Sequence, residues 1–157
     1  MIDLQYGDKE CFGDTMHKDI VDLWTGGTPT QTIGQAELLP IAMARQHWAQ
    51  RIQGRKVLYC IDNDSARDCM IRGDSPSETS AHIVDFFYLQ EFSKPSWPWF
   101  LRVASSSNPA DAPSRLCFKY MTELGAVRVW PKQPKVVQGS LMFSACSVDG
   151  VESQRPL

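Results

Sequence analysis

The sequence lacks a long apolar run, a strong excess of either charge, and closely spaced cysteines. No stretch approaches the roughly 18 apolar residues of a membrane span, and the first residues do not have the pattern of a secretory signal sequence. The 157 residues carry 16 Lys and Arg against 18 Asp and Glu, a net charge of −2. Because no basic field covers the whole chain, any contact with nucleic acid must come from local Lys and Arg.

The cysteines are few and far apart. There are five: Cys11, Cys60, Cys69, Cys117 and Cys146. None belongs to a CxxC pair, which argues against a zinc site, and Cys60 falls inside an apolar run. Scattered cysteines favour a reducing compartment over a disulfide framework. We therefore expect an intracellular protein, in the cytoplasm or the nucleus, with no membrane partner.

The chain is organised around residues 56–66, with the sequence KVLYCIDNDSA. The unbroken apolar run Val57–Ile61 predicts a short strand buried on both faces. It ends at Asp62, and the residues that follow open a helix. A carboxylate at the carboxyl end of a central strand lies where open α/β sheets bind their ligands.

The rest of the chain alternates helical and strand patterns. Residues 17–24 fit either a short helix or a strand, and both assignments stay open. The other predicted elements are a hairpin over 1–16, a helix over 32–53 kinked at Pro40, a short helix over 65–72, a helix from Ser75 to Phe92 with a Ser75–Glu78 capping box, a strand over 97–103, and a final helix capped by Asn108. This order predicts an α/β domain with a mixed sheet flanked by helices over residues 1–124. Residues 125–157 form a C-terminal extension with strand-like segments and a disordered end at 152–157.

Two further acids, Glu37 and Asp111, are candidates to act together with Asp62. Glu37 lies in the first turns of the long helix, on or beside its apolar stripe. Burying a carboxylate is costly, so Glu37 either has a function that requires burial or points to solvent. Asp111 is expected at position N3 of the final helix, whose N-terminus favours negative charge. One acid on a strand end and two on helices can hold divalent metal.

Three blocks of sequence carry a resemblance: QAELL at 35–39, YCIDNDSA at 59–66 and NPADAPSR at 108–115. They resemble signature blocks of the ribonuclease H domain of retroelement reverse transcriptases, in the gypsy-like and tyrosine-recombinase branches. The resemblance covers residues 1–124. It implies a ribonuclease H-like mixed sheet and hydrolysis of the RNA strand of RNA–DNA hybrids. It also implies a reverse transcriptase domain as partner in a parent polyprotein.

The resemblance also implies roles for individual residues. Glu37, Asp62 and Asp111 match three of the four acids with which that family holds two ions of Mg²⁺ or Mn²⁺. The family's first acid, which ends its first strand, has no clear match. Asp3 is the only candidate by order, and we interpret it as a surface residue of the hairpin. The first strand is therefore expected upstream of Met1, which would leave this chain a poorly stable fragment with little activity.

Other interpretations remain open at this stage. The chain could be a decayed, non-catalytic remnant of the same fold, or an unrelated nucleic-acid-binding α/β domain whose acids are structural. The basic residues Arg45, Arg51, Arg55 and Lys56 fit a phosphate-binding patch and a solvated helix face equally well. Trp97 and Trp99 could stack on bases, although packing in the core or at a sheet edge is the favoured interpretation.

Overall fold

The computed structural model describes residues 1–26 and 32–143, which form an α/β arrangement. We label the elements in chain order. They are β1 (Glu10–Cys11), α1 (Lys18–Thr25), α2 (Ile33–His47), α3 (Ala49–Ile52), β2 (Lys56–Ile61), α4 (Asp64–Arg72), α5 (Glu78–Ser93), β3 (Trp97–Arg102), α6 (Asp111–Ser114), α7 (Lys119–Glu123), β4 (Val127–Arg128), β5 (Lys135–Val137) and β6 (Ser140–Met142), with a 3₁₀ turn at Ser105–Ser107. The α/β class expected from the sequence is confirmed.

The strands form three separate pairs. Strands β2 and β3 run parallel over their whole length, from Lys56 opposite Trp97 to Ile61 opposite Arg102, and α5 lies between them in sequence. Both strands were predicted from the sequence, and the structure pairs them in parallel. Strands β1 and β4 are parallel, whereas β5 and β6 form an antiparallel hairpin. Within the described residues, β2 pairs on one edge only, so no single mixed sheet connects these strands.

The hydrophobic core lies between the helices and one face of the β2–β3 pair. Helix α2 packs along α5, and α4 contacts both α2 and β3. Phe87 of α5 is fully buried, and its ring lies 5.4 Å from that of Tyr59 and 5.8 Å from that of Phe100. These aromatic contacts fix which face of the two strands is inside.

The other face of the same strands is exposed, which makes the prediction of a strand buried on both faces wrong. Leu58 is 60% exposed and Cys60 is also exposed, while Tyr59 and Ile61 face the core. Side chains alternate along a strand, and the described helices cover only one side of this pair. The apolar run in the sequence could not reveal that only alternate residues are covered.

Two helices begin or end at residues other than the predicted ones. Helix α2 runs through Pro40 and ends at His47, and Trp48 separates it from α3. Helix α5 begins at Glu78 with Ser77 as its N-cap, so the predicted start at Ser75 is wrong. The Ser75 hydroxyl instead accepts a hydrogen bond from the backbone N–H of Ser77, which closes a turn before the helix.

The predicted final helix is broken into α6 and α7. Asp111 is the first residue of α6, where the sequence had placed it at N3. Leu116 follows with φ of 60°, and the N–H of Cys117 donates to the carbonyl of Ala112 at 2.9 Å. This 6→1 bond with a left-handed residue is a Schellman ending, which stops the helix after about one turn.

Two ion pairs, each with at least one buried partner, hold distant segments together. Asp3 is 4% exposed and accepts two hydrogen bonds from Arg55, at 2.6 and 2.8 Å. The interpretation of Asp3 as hairpin surface is therefore wrong. Arg45 is fully buried and pairs with Glu91 of α5.

The arginines of the α2–β2 region do not form a phosphate-binding patch. Besides the two pairs above, Arg51 pairs with Asp8 and with Glu10. All three arginines are bound to carboxylates of the chain, so neither a patch nor a solvated face describes them. Lys56 is exposed and makes no ion pair with any residue in the described ranges.

The segment after α7 returns to the earlier part of the chain. Strand β4 pairs with β1, and Val136, Leu141 and Phe143 pack against the core. Residues 144–157, with the predicted disordered end, lie outside the described residues, as do residues 27–31. None of the described helices is long and apolar enough to cross a membrane.

Candidate metal centre

Asp62 occupies the junction between β2 and α4. It directly follows Ile61, the buried last residue of the strand, and is itself half-buried. The side chain of Asn63 caps α4 by accepting a hydrogen bond from the N–H of Ala66 at 2.9 Å. The cap starts the helix at Asp64, so Asp62 is left at the carboxyl end of the strand, outside the helix.

Glu37 approaches from α2. It is half-buried and immediately precedes Leu38 and Leu39, which are both 1% exposed. Two residues earlier, the amide of Gln35 donates a hydrogen bond to Thr79 of α5 at 3.1 Å. This contact helps to fix the first turns of α2, and with them Glu37, against the start of α5.

Asp111 is brought in by the segment after β3. Its side chain is 40% exposed and accepts from Arg115 at 3.2 Å, an i,i+4 pair. The side chain of Asn108 accepts a hydrogen bond from the N–H of Ala110 at 3.1 Å, which stabilises the turn before α6. Gly13 lets this segment lie close, because a β-carbon there would be 2.1 Å from the carbonyl oxygen of Pro113.

The three acids share one electrostatic environment. Burial raises the pKa of Glu37 above its ordinary value of 4.5, and the negative charges of Asp62 and Asp111 raise that pKa further. A proton or a cation bound at Glu37 would relieve this repulsion.

The donor set fits a hard divalent cation in its chemistry. Carboxylate oxygens are the protein ligands that Mg²⁺ accepts, together with retained water. As placed, no three described His, Cys, Asp or Glu side chains are grouped closely enough to hold one ion. Asp111 is oriented by Arg115, and side-chain rotation there would accompany metal binding.

Asp3 is not available as a fourth acid of this group. Besides Arg55, its carboxylate accepts from the backbone N–H groups of Gln5 and Tyr6, at 2.9 and 3.2 Å. The hydrogen bonds from Arg55 hold the pKa of Asp3 well below its usual range, and those from Gln5 and Tyr6 lower it further. A carboxylate satisfied by a guanidinium and two amides does not bind a cation without losing those contacts.

The structure adds two arginines to this region that the sequence analysis did not single out. Arg102, at the end of β3, pairs with Asp64 at 3.0 Å, and Arg115 pairs with Asp111. Asp111 and Arg115 are four residues apart, a spacing at which opposite charges pair on a helix, so the sequence alone could have predicted this pair. The Arg102–Asp64 pair depends on the strand register and has no local signal.

The chain was compared with protein families, curated proteins and solved structures. No protein-family model, no curated protein and no solved structure matches the chain.

Proposed function

We propose that this chain is a ribonuclease H-type endonuclease module of a retroelement reverse transcriptase, which hydrolyses the RNA strand of RNA–DNA hybrids. The observation that carries the proposal is the position of Asp62 at the carboxyl end of β2, where open α/β sheets bind their ligands. The half-buried Glu37 of α2 supports it, because burial, and then the charges of Asp62 and Asp111, raise the pKa of Glu37. A bound cation would offset the cost of keeping that carboxylate charged.

Glu37, Asp62 and Asp111 would hold Mg²⁺ or Mn²⁺. When bound, a pair of such ions activates water and stabilises the charge on the attacking and leaving oxygens. The chain's own residues set up that site. The Asn63 cap keeps Asp62 out of α4, and Asp111 would exchange its ion pair with Arg115 for the metal.

The proposed substrate follows from the resemblance of the three sequence blocks. An RNA–DNA hybrid is polyanionic, so it needs cations near the acids. Arg102 and Arg115 lie beside Asp64 and Asp111, and Arg115 is 76% exposed. In a parent polyprotein, a reverse transcriptase domain would deliver the hybrid to this site.

A second candidate is a non-catalytic nucleic-acid-binding domain of the same origin. Its support is the number of candidate acids, which is three where the family it resembles has four, because Asp3 is bound to Arg55. One of those three, Asp111, is itself paired with Arg115. Fewer ligands hold two dications less tightly against their mutual repulsion. The enzyme is preferred because the second candidate leaves the repulsion at Glu37 unexplained.

The test measures metal binding and cleavage separately. Thermal unfolding of the chain is followed with added Mg²⁺ or Mn²⁺, and an end-labelled RNA–DNA hybrid is incubated with the same samples. A ligand at 100 times its Kd stabilises by about 2.7 kcal/mol, so we expect a rise in Tm with both metals and weak cleavage of the RNA strand. Asp62→Asn should remove both effects.

Asp68→Asn is the matched control. Asp68 is an exposed acid of α4 that pairs with Arg67, outside the proposed site. It should retain the metal-dependent shift and the cleavage. A metal-induced shift in Tm without cleavage would favour the non-catalytic candidate. An identical response of the two variants and the original chain would refute the site.

A further inference from the structure

The outer face of the β2–β3 pair is an exposed, mostly apolar surface with two tryptophans at its centre. Its six side chains come from paired positions of the two strands. They are Lys56 beside Trp97, Leu58 beside Trp99, and Cys60 beside Leu101. Trp97 is 71% exposed and Trp99 is 65% exposed. Packing in the core, one part of the interpretation favoured from the sequence, is therefore wrong for both. Strand β3 pairs only with β2 among the described residues, so both tryptophans do lie on an edge strand.

We propose that this outer face is a stacking surface for single-stranded nucleic acid, with Trp97 and Trp99 each receiving one base. The two residues lie two positions apart on β3, so their rings project from the same side at about 6.6 Å spacing along the strand. Sheet-mounted aromatics at such spacing stack successive unpaired bases. Neither ring pairs with another aromatic ring or with a cation among the described residues, and both side chains are largely exposed.

The charge on this face favours a polyanion. Lys56 is the only charged side chain among the six, it is exposed, and it has no acidic partner in the described part of the chain. Because Lys56 sits directly opposite Trp97 in the register, its ammonium group can reach a phosphate next to the base on that ring. Leu58 supplies an apolar neighbour beside Trp99.

The same charge argues against a second copy of the chain as the occupant. In a symmetric dimer through this face, each Lys56 would be taken into an interface to which the six side chains contribute no carboxylate. Burying an unpaired ammonium group costs several kcal/mol. A nucleic acid supplies the missing negative charge itself.

This inference does not depend on the proposed nuclease activity. The tryptophans lie on the outer face of the strands, whereas Glu37 belongs to α2, which packs against α4 and α5 on the side of the inner face. Stacking of bases needs no metal ion. Binding is therefore measured in EDTA, and Asp62→Asn should bind single strands as tightly as the original chain.

The experiment uses fluorescein-labelled oligothymidylate and oligouridylate of about 12 nucleotides, within the range of single-strand site sizes. Anisotropy gives the Kd of the chain and of its variants. Trp99→Ala should weaken binding about 5- to 150-fold, because one stacked base contributes about 1–3 kcal/mol. Trp99→Phe should retain most of the affinity. Lys56→Ala should reduce the slope of log K against log salt by about 0.7.

Phe92→Ala is the matched control, since Phe92 is an aromatic residue that is 90% exposed on α5, away from this face. It should bind as the original chain does. Photocrosslinking with a 5-bromouracil oligonucleotide tests the contact without any substitution, and the crosslink should map to Trp97 or Trp99. If the crosslink maps elsewhere, or Trp99→Ala binds normally, the proposal is overturned. A dimer in sedimentation that Trp97→Ala dissociates would also overturn it, in favour of a second copy.

Discussion

The buried pair of Arg45 and Glu91 should be the most sensitive polar contact in the fold. The Arg45 side chain is 0% exposed and that of Glu91 is 11% exposed. Arg45 also donates to the carbonyls of Gln90, at 3.0 Å, and Lys94, so it satisfies the C-terminal end of α5. The pair thus joins α2 to the turn that leads into β3.

Glu91→Gln keeps the shape of the side chain and removes its charge. The guanidinium of Arg45 is then left buried without a compensating carboxylate, which typically costs about 3–5 kcal/mol. For a chain of this length, 1 kcal/mol corresponds to about 2–4 °C in Tm, so the expected loss is roughly 6–20 °C. Thermal and urea unfolding by circular dichroism measure it.

The solvent-exposed pair of Lys18 and Asp22 provides the comparison. Its side chains are 87% and 55% exposed, so Asp22→Asn should change the free energy of unfolding by at most about 0.5 kcal/mol. Adding Arg45→Met to Glu91→Gln should recover part of the loss, since the uncompensated charge is removed. Equal small effects of Glu91→Gln and Asp22→Asn would refute the reasoning, because burial would then make no difference.

Two further predictions concern the candidate site. Burial, Asp62 and Asp111 raise the pKa of Glu37, so its charged form destabilises the fold above that pKa, and the penalty is relieved as the pH falls toward 4.5. Glu37→Gln should therefore increase the free energy of unfolding in metal-free buffer at pH 7, with a gain that disappears near pH 4.5 in urea titrations. Gly13→Ala should cost about 1–3 kcal/mol in the same assay, because its β-carbon would lie 2.1 Å from the backbone oxygen of Pro113.

Each of these predictions has a control in the same chain. Glu123→Gln changes an exposed acid of α7 and should give no pH-dependent gain. A gain for Glu37→Gln that is constant from pH 7 to pH 4 would contradict the electrostatic account. Gly34→Ala adds a β-carbon with nothing within 4 Å inside α2, so it should stabilise by about 0.5–1 kcal/mol. If Gly13→Ala did the same, the close approach to Pro113 would be wrong.

The local pattern of the sequence was sufficient for the elements with strong periodicity or capping signals. The apolar run at 57–61 and the strand at 97–103 were predicted and pair in parallel. Gly54, a glycine at the position just after the helical segment before β2, has φ of 72° and ends that segment. These features depend on residues within one or two turns of each other. The α/β class followed from their order along the chain.

The candidate site was selected on sequence, but its electrostatics are a tertiary property. Glu37, Asp62 and Asp111 come from three separate blocks, and only the folded chain brings the charges of the two aspartates to bear on Glu37. Their role as metal ligands stays a prediction. The Schellman ending at Leu116 shortened the predicted helix, since a left-handed leucine has no signal in composition.

Tertiary structure alone decided which charges are paired and which apolar residues are exposed. Asp3 and Arg55 are 52 residues apart, and Arg45 and Glu91 are 46 residues apart, so no local pattern connects them. A composition rich in Val, Leu and Trp predicts strands equally well whether one or both faces are covered. Coverage depends on where distant helices pack, because burial is a property of the assembled layers and not of the strand.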